Sequence, residues 1–454
     1  MKKFIDTLKN IWKIEDLRQR ILITTLFVAI YRFGSKVVLP GVNFNVLSDI
    51  GSSKGLAHQT EDGLMSLLDM FSGGAFSQAS IFALGIMPYI SASIVMQLLA
   101  VAVPYFQKMQ REGESGRKKI SMYTRYLTVA ILLFQAPSYL VNMRAQIGSL
   151  ASDSGIPAFN PMISWGMYLV LGSVILAAGS MFILWLGERI TDKGIGNGVS
   201  LIIMIGIIAR LPQAFAQEVT SKFSEVAGGG LIMFLIEILV LLAIICAAIV
   251  LVQGVRKIPV QYAKRVVGNK QYGGARQYIP LRLFAANVMP IIFAQALMFI
   301  PLAILGYDRS TSSLTDPNSF AYNLVFALLI IAFTYFYTAI TLNPTQMAED
   351  MKRNNGFIPG VKPGKDTADY IDTIMSRITL PGSLFIAFIA IMPALVRSYV
   401  TPEFAQFYGG TSLLILVGVV LDTLQQIESH LLMRHYDGLL NSGRIHGRGG
   451  VNAY

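Results

Sequence analysis

Ten apolar stretches of about 20 residues dominate this sequence. Each is long enough to cross a bilayer as a helix, because ~20 residues at a rise of ~1.5 Å span the ~30 Å hydrocarbon core. Only 14% of the 454 residues are charged, whereas soluble domains carry about a quarter. The sequence therefore predicts an all-α membrane protein of ten transmembrane helices, at 21–39, 79–100, 121–141, 162–188, 197–216, 230–252, 285–306, 320–341, 379–397 and 409–432.

The basic residues predict the orientation of these spans. Of the 37 Lys and Arg residues, 29 fall in the two tails and in the loops on their side, and 8 fall on the opposite side. Because cytoplasmic loops carry the excess of Lys and Arg, both termini are expected to be cytoplasmic. This bias accounts for the net charge of +11 without a nucleic-acid partner. The first span lacks a small-residue cleavage site and is expected to be retained.

Two cytoplasmic loops are long enough to hold structure of their own. Loop 253–282 alternates at Ile258, Val260 and Tyr262 and contains a Gly-Asn reversal, a pattern typical of a protruding β-hairpin. Loop 342–378 predicts a short helix, a Gly/Pro turn and a second helix that runs into span nine. The tail 433–454 is expected to be cytoplasmic.

The sequence offers no convincing catalytic, metal or nucleotide site. The four His residues are scattered without HExxH, and the sequence has neither a GxSxG elbow nor a GxxxxGK[ST] loop. Cys246 is the only cysteine in the sequence, which excludes an internal disulfide and a Cys-built metal site. Its apolar neighbours predict that it is buried. Glu237 and Asp422 lie off-centre in their spans, where a structural role is favoured over proton coupling. We therefore expect no enzyme activity and no cofactor.

The second apolar stretch is interrupted twice. Ser72-Gly73-Gly74 should break the helix, leaving 63–71 as a half-helix too short to cross the bilayer. Non-helical backbone is tolerated at membrane depth only inside protein or beside a watery cavity, so this segment implies a cavity. Further along, Pro88 should free the carbonyl of Leu84 and bend the helix.

Branched apolar residues recur at helical spacing near these breaks. Ile86 and Ile90 share one helix face, and Val199 and Ile203 repeat the spacing in span five. Such side chains at one depth could close an apolar constriction that gates by dewetting. Ordinary packing against helices or lipid explains the same spacing.

Several longer motifs carry a resemblance to a known family. The runs FSGGAFSQASIFALGIMPYISASI, EGESGRKKISMYTRY, WLGERITDKGIGNGVSLIIMIGI, PVQYAKR, NGFIPGVKPG, TADYID and GGTSLLILVGVVLDTLQQ follow one another in order. Together they closely resemble the SecY family of bacterial protein-conducting channels, over essentially the whole chain. The resemblance implies two pseudo-symmetric five-helix halves, here 1–216 and 217–432.

The resemblance also implies the parts of a channel for unfolded polypeptides. The half-helix, at about 63–74, matches the family's plug, with Leu64, Leu67, Leu68, Met70, Phe71, Ser72, Gly73 and Gly74. The family's pore-ring positions fall on Ile86, Ile90, Val199, Ile203, Ile292 and Ile415.

A lateral gate is implied between spans two and three on one side and seven and eight on the other. Its polar residues would be Gln97, Gln135, Asn287 and Gln295, for which interhelical hydrogen bonding is the alternative. Lys264 and Arg265 match family residues that dock the ribosome or the SecA motor. Lys362 is the third docking residue that the resemblance implies. Many members have Arg at this position, and Lys lacks the planar guanidinium fork of Arg.

The resemblance implies as partners the subunits SecE and SecG, the SecA ATPase, the ribosome, unfolded client chains and the lipid bilayer. The implied location is the bacterial plasma membrane. A ten-span secondary transporter also uses broken helices at the midplane and is the alternative. An intramembrane protease would need a nucleophile and base that the sequence lacks.

Overall fold

A computed structural model of the chain describes most of its residues. These are 14–42, 69, 72–154, 164–224, 230–262, 265–267, 270–272, 276–283, 289–298, 319–397 and 400–441. Within these ranges the protein is largely helical, with short strands in the loops 253–282 and 342–378.

The helices follow the apolar stretches of the sequence, with shifted ends. The first part of the chain contains α1 Glu15–Gly34, α2 Met87–Ala102, α3 Pro104–Arg111, α4 Glu114–Ser154, α5 Trp165–Lys193, α6 Gly198–Ser224 and α7 Gly230–Gln253. The strands β1 Val255–Tyr262, β2 Arg265–Val267, β3 Lys270–Tyr272 and β4 Arg276–Arg282 come next. The chain continues with α8 Met289–Leu297, α9 Phe320–Thr341, α10 Pro344–Arg353, β5 Gly356–Phe357, α11 Lys365–Val396, α12 Pro402–Ala405, a 3₁₀ turn Gln406–Tyr408 and α13 Gly410–Asn441.

Seven of the described helices are long and apolar enough to cross a membrane, or eight if the bent pair α2 and α3 counts as one span. The stretch predicted at 21–39 forms α1, which begins earlier, at Glu15, and is not among the seven. The stretch predicted at 285–306 lies mostly outside the described residues, and α8 is its described part.

The chain divides into two compact units. The first comprises Met1–Thr60, Met65–Arg210 and Val419–Tyr454, and the second comprises Glu61–Leu64 and Leu211–Gly418. Helices α6 and α13 each contribute residues to both units. The predicted halves, 1–216 and 217–432, stay a prediction.

In the first unit, the core forms where α4 and α5 pack together, with α2 also on α4. Its centre holds Tyr139, Leu140 and Leu176, all buried. Glycines on α5 allow close packing: a Cβ at Gly172 would lie 2.9 Å from Leu140, and one at Gly179 would lie 2.3 Å from the carbonyl oxygen of Ile81. Small residues at such contacts let membrane segments approach backbone to backbone.

In the second unit, the two long loops, 253–282 and 342–378, form one module, here called the loop module. β1 pairs antiparallel with β4 and with β5, so the sheet order is β4-β1-β5. The hairpin and the two helices predicted for these loops are confirmed. Their common core, which the sequence did not predict, brings Ile258 and Val260 against Met351 and Ile371.

Cys246 departs from the expected burial. It is exposed on α7, the most apolar of the candidate spans, of which only 22% is buried. An apolar helix surface that no protein covers is expected to face lipid, so the apolar neighbours of Cys246 reflect the membrane rather than a protein core.

A buried ionic cluster ties α6 and α7 to the segment before α12. The ammonium group of Lys222 lies 2.9 Å from Glu237 and 3.6 Å from Glu218. Glu218 is fully buried and accepts hydrogen bonds from the backbone N–H and the hydroxyl of Thr401. The hydroxyl of Tyr408 donates to the carbonyl of Glu237. The structural role predicted for Glu237 thus involves a lysine shared by two carboxylates, whereas Asp422 is exposed on α13.

The shared lysine predicts an asymmetry between mutations. Lys222→Met leaves two buried carboxylates without the ammonium group that both contact and should lower the free energy of unfolding by about 3–5 kcal/mol. Glu237→Gln leaves one carboxylate with one lysine and should lower it by only about 1 kcal/mol. Unfolding in detergent micelles measures both.

Lys118→Met is the matched control, because its pair with Glu114 is highly exposed and exposed pairs contribute little. A Lys222→Met protein as stable as the Lys118→Met protein would contradict the buried cluster.

Candidate functional site

A non-helical segment, 72–86, lies between α1 and α2 in sequence and forms the centre of the candidate site. It is joined to the residues after α1 by two backbone hydrogen bonds. The N–H of Leu39 donates to the carbonyl of Ala79 at 2.9 Å, and the N–H of Ile81 donates to the carbonyl of Val37 at 3.0 Å. Backbone groups of this segment are therefore hydrogen-bonded to the residues after α1, whereas those of a helix are hydrogen-bonded within the helix.

Side chains from two helices bind the carbonyl groups at the start of this segment. Tyr31 donates its hydroxyl to Ser72 at 3.2 Å, and the Arg32 guanidinium donates to Gly73 at 2.8 Å. From α4, the Tyr139 hydroxyl donates to the carbonyl of Phe76 at 2.8 Å. The rings of Phe76 and Tyr139 also meet edge to face, 4.8 Å apart. The break in the apolar stretch is thus a folded and hydrogen-bonded structure.

Gly73 allows this segment to lie on α6. It adopts a φ of +66°, in the left-handed region that favours glycine. A Cβ at this position would lie 2.8 Å from the Cα atom of Gly206. Any larger residue would therefore push the segment away from α6.

Asp69, just before the segment, is buried and charged. One carboxylate oxygen accepts from the N–H of Ser77 at 2.7 Å, and the other lies 2.5 Å from the guanidinium of Arg210 on α6. Sequence reasoning missed this pair. The available signal was Arg210 itself, since a basic residue inside an apolar span needs a partner.

The plug residues fall largely outside the described part of the chain. Leu64, Leu67, Leu68, Met70 and Phe71 lie there, so the half-helix stays a prediction. Of the predicted plug set, Ser72, Gly73 and Gly74 are described. Ser72 is buried, and its hydroxyl accepts from the N–H of Phe76 at 3.0 Å while donating to the carbonyl of Asp69.

The bend expected at Pro88 is instead the start of a helix. Turns precede Ile86, which caps α2, and Pro88 occupies the first turn. Proline suits this position because a first-turn N–H has no intrahelical partner to lose. Gly85, with a φ of +54°, makes the reversal before the cap. The prediction of a kink within a helix at Pro88 is therefore wrong. The backbone changes direction just before the helix, at Gly85.

The predicted pore-ring residues occupy helix ends and faces in both units. Ile86 and Ile90 open α2, and Ile203 follows on α6; all three are buried. Val199 is half-buried, and a Cβ at Gly187 would lie 3.3 Å from its side chain. In the second unit, Ile415 on α13 is buried and Ile292 on α8 is half-buried. Closure of one ring by these six residues stays a prediction.

The predicted lateral-gate residues lie on helices that are paired within each unit. α2, with Gln97, packs on α4, with Gln135; α8, with Gln295, packs on α9. Gln97 donates to the hydroxyl of Ser93 at 3.4 Å within its own helix, and Gln135 is exposed. Asn287 lies outside the described residues. Their gating role stays a prediction.

Of the predicted docking residues, Arg265 and Lys362 lie on the loop module. Arg265 begins β2, which pairs with β3 beyond the main sheet. Lys264 is outside the described residues. The side chain of Lys362 is exposed, in a turn between Gly360 and Gly364, both of which have positive φ. The carbonyl of Lys362 accepts from the hydroxyl of Thr367, which fixes the turn to the start of α11.

Comparison with known proteins identifies the family. The family profile described as SecY matches residues 80–424. The chain belongs to the SecY family. It is 42% identical to the protein translocase subunit SecY of Mycobacterium bovis, covering 97% of this chain and all of that one. It is 40% identical to SecY of Thermotoga maritima, covering 97% and 99%.

Solved structures share the SecY fold. A protein-conducting channel matches with a TM-score of 0.60 at 17% identity, covering 96% of this chain and 95% of that one. Two others match with a TM-score of 0.57, 17% identity and the same coverage. One is a SecY whose plug domain stabilises the closed state of the translocation channel and maintains a membrane seal, and the other is Sec61 in the canine ribosome-channel complex. The predicted helical channel fold is therefore confirmed.

The constriction predicted for this SecY-family chain can be tested at α2. The double substitution Ile86→Asn and Ile90→Asn should hydrate the predicted apolar constriction and raise the resting ion conductance, because a dewetting barrier depends on an apolar lining. Planar-bilayer recordings without added partners measure this conductance.

Val95→Asn is the matched control, since Val95 lies on the same helix but is exposed. Equal conductance in the double variant, the control and the parent protein would refute the pore assignment of Ile86 and Ile90.

Proposed function

We propose that this protein is the central protein-conducting channel of a bacterial Sec translocase. It passes unfolded secretory polypeptides across the plasma membrane and releases apolar segments sideways into lipid. The observation that carries the proposal is the match to SecY translocase subunits over 97% of the chain, together with the channel fold. A small-solute transporter is not favoured by these matches.

The geometry of the non-helical segment supports a gated channel. Backbone that leaves the helical path at membrane depth is stable only where protein or water satisfies it. Here α1 and α4 donate to the carbonyls of Ser72, Gly73 and Phe76. Such a bonded segment can carry a plug before it and a constriction after it. We assign the plug to about 63–74 and the constriction to Ile86, Ile90, Val199, Ile203, Ile292 and Ile415.

For lateral release we assign a gate between the α2–α4 pair and the α8–α9 pair. Each pair is packed internally, so the opening of a seam between pairs leaves both intact. Polar side chains such as Gln97 and Gln295 lower the cost of exposing such a seam to water.

The energy for transport comes from partners, and the loop module, on the cytoplasmic side, is the docking surface. The ribosome is one partner, as in the ribosome-bound Sec61 channel, and the SecA ATPase is the other. SecE and SecG complete the complex. Both termini lie on the cytoplasmic side, because 29 of the 37 basic residues fall there.

Reconstituted vesicles test the function directly. The protein with SecE and SecG should move an unfolded secretory chain into a protease-protected space only when SecA and ATP are added. Saturable uptake of a small solute, without movement of polypeptide, would contradict the channel and favour a transporter.

The docking surface has a separate test. Reversing Lys264 and Arg265 to Glu should weaken the binding of ribosomes and SecA. It should also make ribosome binding less sensitive to salt, since a protein that neutralises fewer phosphates releases fewer counterions. Equilibrium binding at several salt concentrations measures both effects.

The matched control reverses Arg256 and Lys257 on β1, which are exposed near the base of the same hairpin. Similar losses in both double variants would indicate a general charge effect rather than a docking site. Lys362→Arg adds a further comparison: stronger binding indicates a bidentate contact, and equal binding indicates a point charge.

A further inference from the structure

The connection between α5 and α6, residues 194–198, is here called the α5–α6 loop, and three of its five residues are glycine. It lies in the first unit with α1 and the end of α13. Gly196 adopts a φ of +81°, in the left-handed region that favours glycine. A Cβ at Gly196 would lie 2.7 Å from Thr423 on α13, and one at Gly194 would lie 2.4 Å from Thr24 on α1. The glycines therefore let the loop approach two helices that are distant from it in sequence.

Side chains from both helices bind the backbone of this loop. The hydroxyl of Thr24 accepts from the N–H of Ile195 at 3.2 Å and donates to the carbonyl of Arg20, one turn earlier on α1, at 2.8 Å. From α13, the side-chain oxygen of Gln426 accepts from the N–H of Gly196 at 2.8 Å. Both N–H groups belong to buried residues, which need hydrogen-bond partners inside the protein. Two successive residues of the loop are thus held by helices from opposite ends of the sequence.

The first turn of α6 continues directly from these bonds. The side chain of Asn197 accepts from the N–H groups of Val199 at 3.2 Å and Ser200 at 3.4 Å, as an N-cap residue does. The N–H of Gly198 donates to the hydroxyl of Thr191 at 2.9 Å, which joins the same turn to the end of α5. A displacement of the loop would therefore move the first turn of α6 with it.

The first two turns of α6 carry two of the residues assigned to the constriction. Val199 and Ile203 are four residues apart and share one helix face. Ile203 is only 6% exposed, and a Cβ at Gly187 on α5 would lie 3.3 Å from the side chain of Val199. Because glycine-rich backbone has many accessible conformations, the α5–α6 loop alone does not determine where this face lies. Its position depends on the side chains that hold the loop.

We propose that Thr24 and Gln426 are positioning residues that hold the α5–α6 loop from two sides and so fix the depth and rotation of the start of α6. Through that helix start they determine where Val199 and Ile203 lie. The inference rests on the proposed channel function for the role of those two residues in a constriction. The positioning itself follows from the hydrogen bonds to the loop.

Thiol labelling tests the positioning. Cys246 is the only cysteine in the sequence and is exposed, so Cys246→Ala provides a background in which Ile203→Cys is the only target of a charged methanethiosulfonate reagent. Thr24→Val and Gln426→Met each remove an acceptor at similar side-chain size. Each should speed labelling at position 203 about fivefold, because losing one hydrogen bond raises the population of a displaced helix start by about that factor. Thr24→Ser and Gln426→Glu keep an acceptor oxygen and should restore the parent rate.

The neighbouring residues supply matched controls. Thr25→Val removes a hydroxyl that donates to the carbonyl of Ile21 within α1, and Gln425→Met changes an exposed side chain on α13. Both should label at the parent rate. Ile90→Cys on α2, in place of Ile203→Cys, reports general loosening of the unit, and its labelling rate should be the same with and without Thr24→Val or Gln426→Met.

Ion conductance tests the consequence for the constriction. Thr24→Val combined with Gln426→Met should raise the resting conductance of the reconstituted complex, because a displaced α6 would move apolar side chains out of a dewetted constriction. Thr24→Ser combined with Gln426→Glu should conduct as the parent protein does. Faster labelling without a change in conductance would overturn the proposed link to the constriction.

Labelling needs no transport, so two failures are distinguishable. If Thr24→Val and Gln426→Met label position 203 no faster than Thr25→Val and Gln425→Met, the positioning role is wrong, and the channel function stands provided that the parent complex translocates a client with SecA and ATP. Equal acceleration at position 90 would also overturn the positioning role, since the whole unit would then have loosened. If the parent complex fails to translocate, the channel function is wrong, and the labelling rates still decide the positioning role.

Discussion

The satisfaction of backbone hydrogen bonds at membrane depth is the constraint on which this structure depends. A bilayer offers no water to exposed N–H and C=O groups, so every departure from the helix needs protein partners. The segment 72–86 meets this need in three ways: with its own turns, with backbone bonds to Val37 and Leu39, and with donors from Tyr31, Arg32 and Tyr139. The irregular backbone of this segment is thereby satisfied by protein partners rather than by water.

The same constraint explains where the charged residues lie. The two buried carboxylate sites in the described residues are each matched by a basic group on α6, Arg210 for Asp69 and Lys222 for Glu218 and Glu237. Each cluster also holds backbone outside the helices, since Asp69 binds the N–H of Ser77 and Glu218 binds that of Thr401. Charge in these spans therefore fixes irregular segments to helices, which differs from the ion-coupling role that intramembrane charge has in pumps.

Local patterns in the sequence predicted the local elements and missed the contacts between distant ones. The alternation at Ile258 and Val260 was sufficient for the hairpin, but nothing local indicated that the two-residue strand β5 would join it. Pro88 was expected to bend a helix because the apolar run continues through it, yet the turns before Ile86 place it at a helix start, where it fits without loss. The partner of Arg210 could not be read locally, because Asp69 precedes it by several spans.

One face of α6 carries three residues with different surroundings. Ile203 is buried, the Cα atom of Gly206 lies 2.8 Å from where a Cβ of Gly73 would be, and Arg210 pairs with the buried carboxylate of Asp69. Because these residues are three and four positions apart, the helix places Gly206 and Arg210 about one and two turns from Ile203 along that face. A shift or rotation of α6 would therefore change the packing of Ile203 and the contacts of Gly73 and Asp69 together.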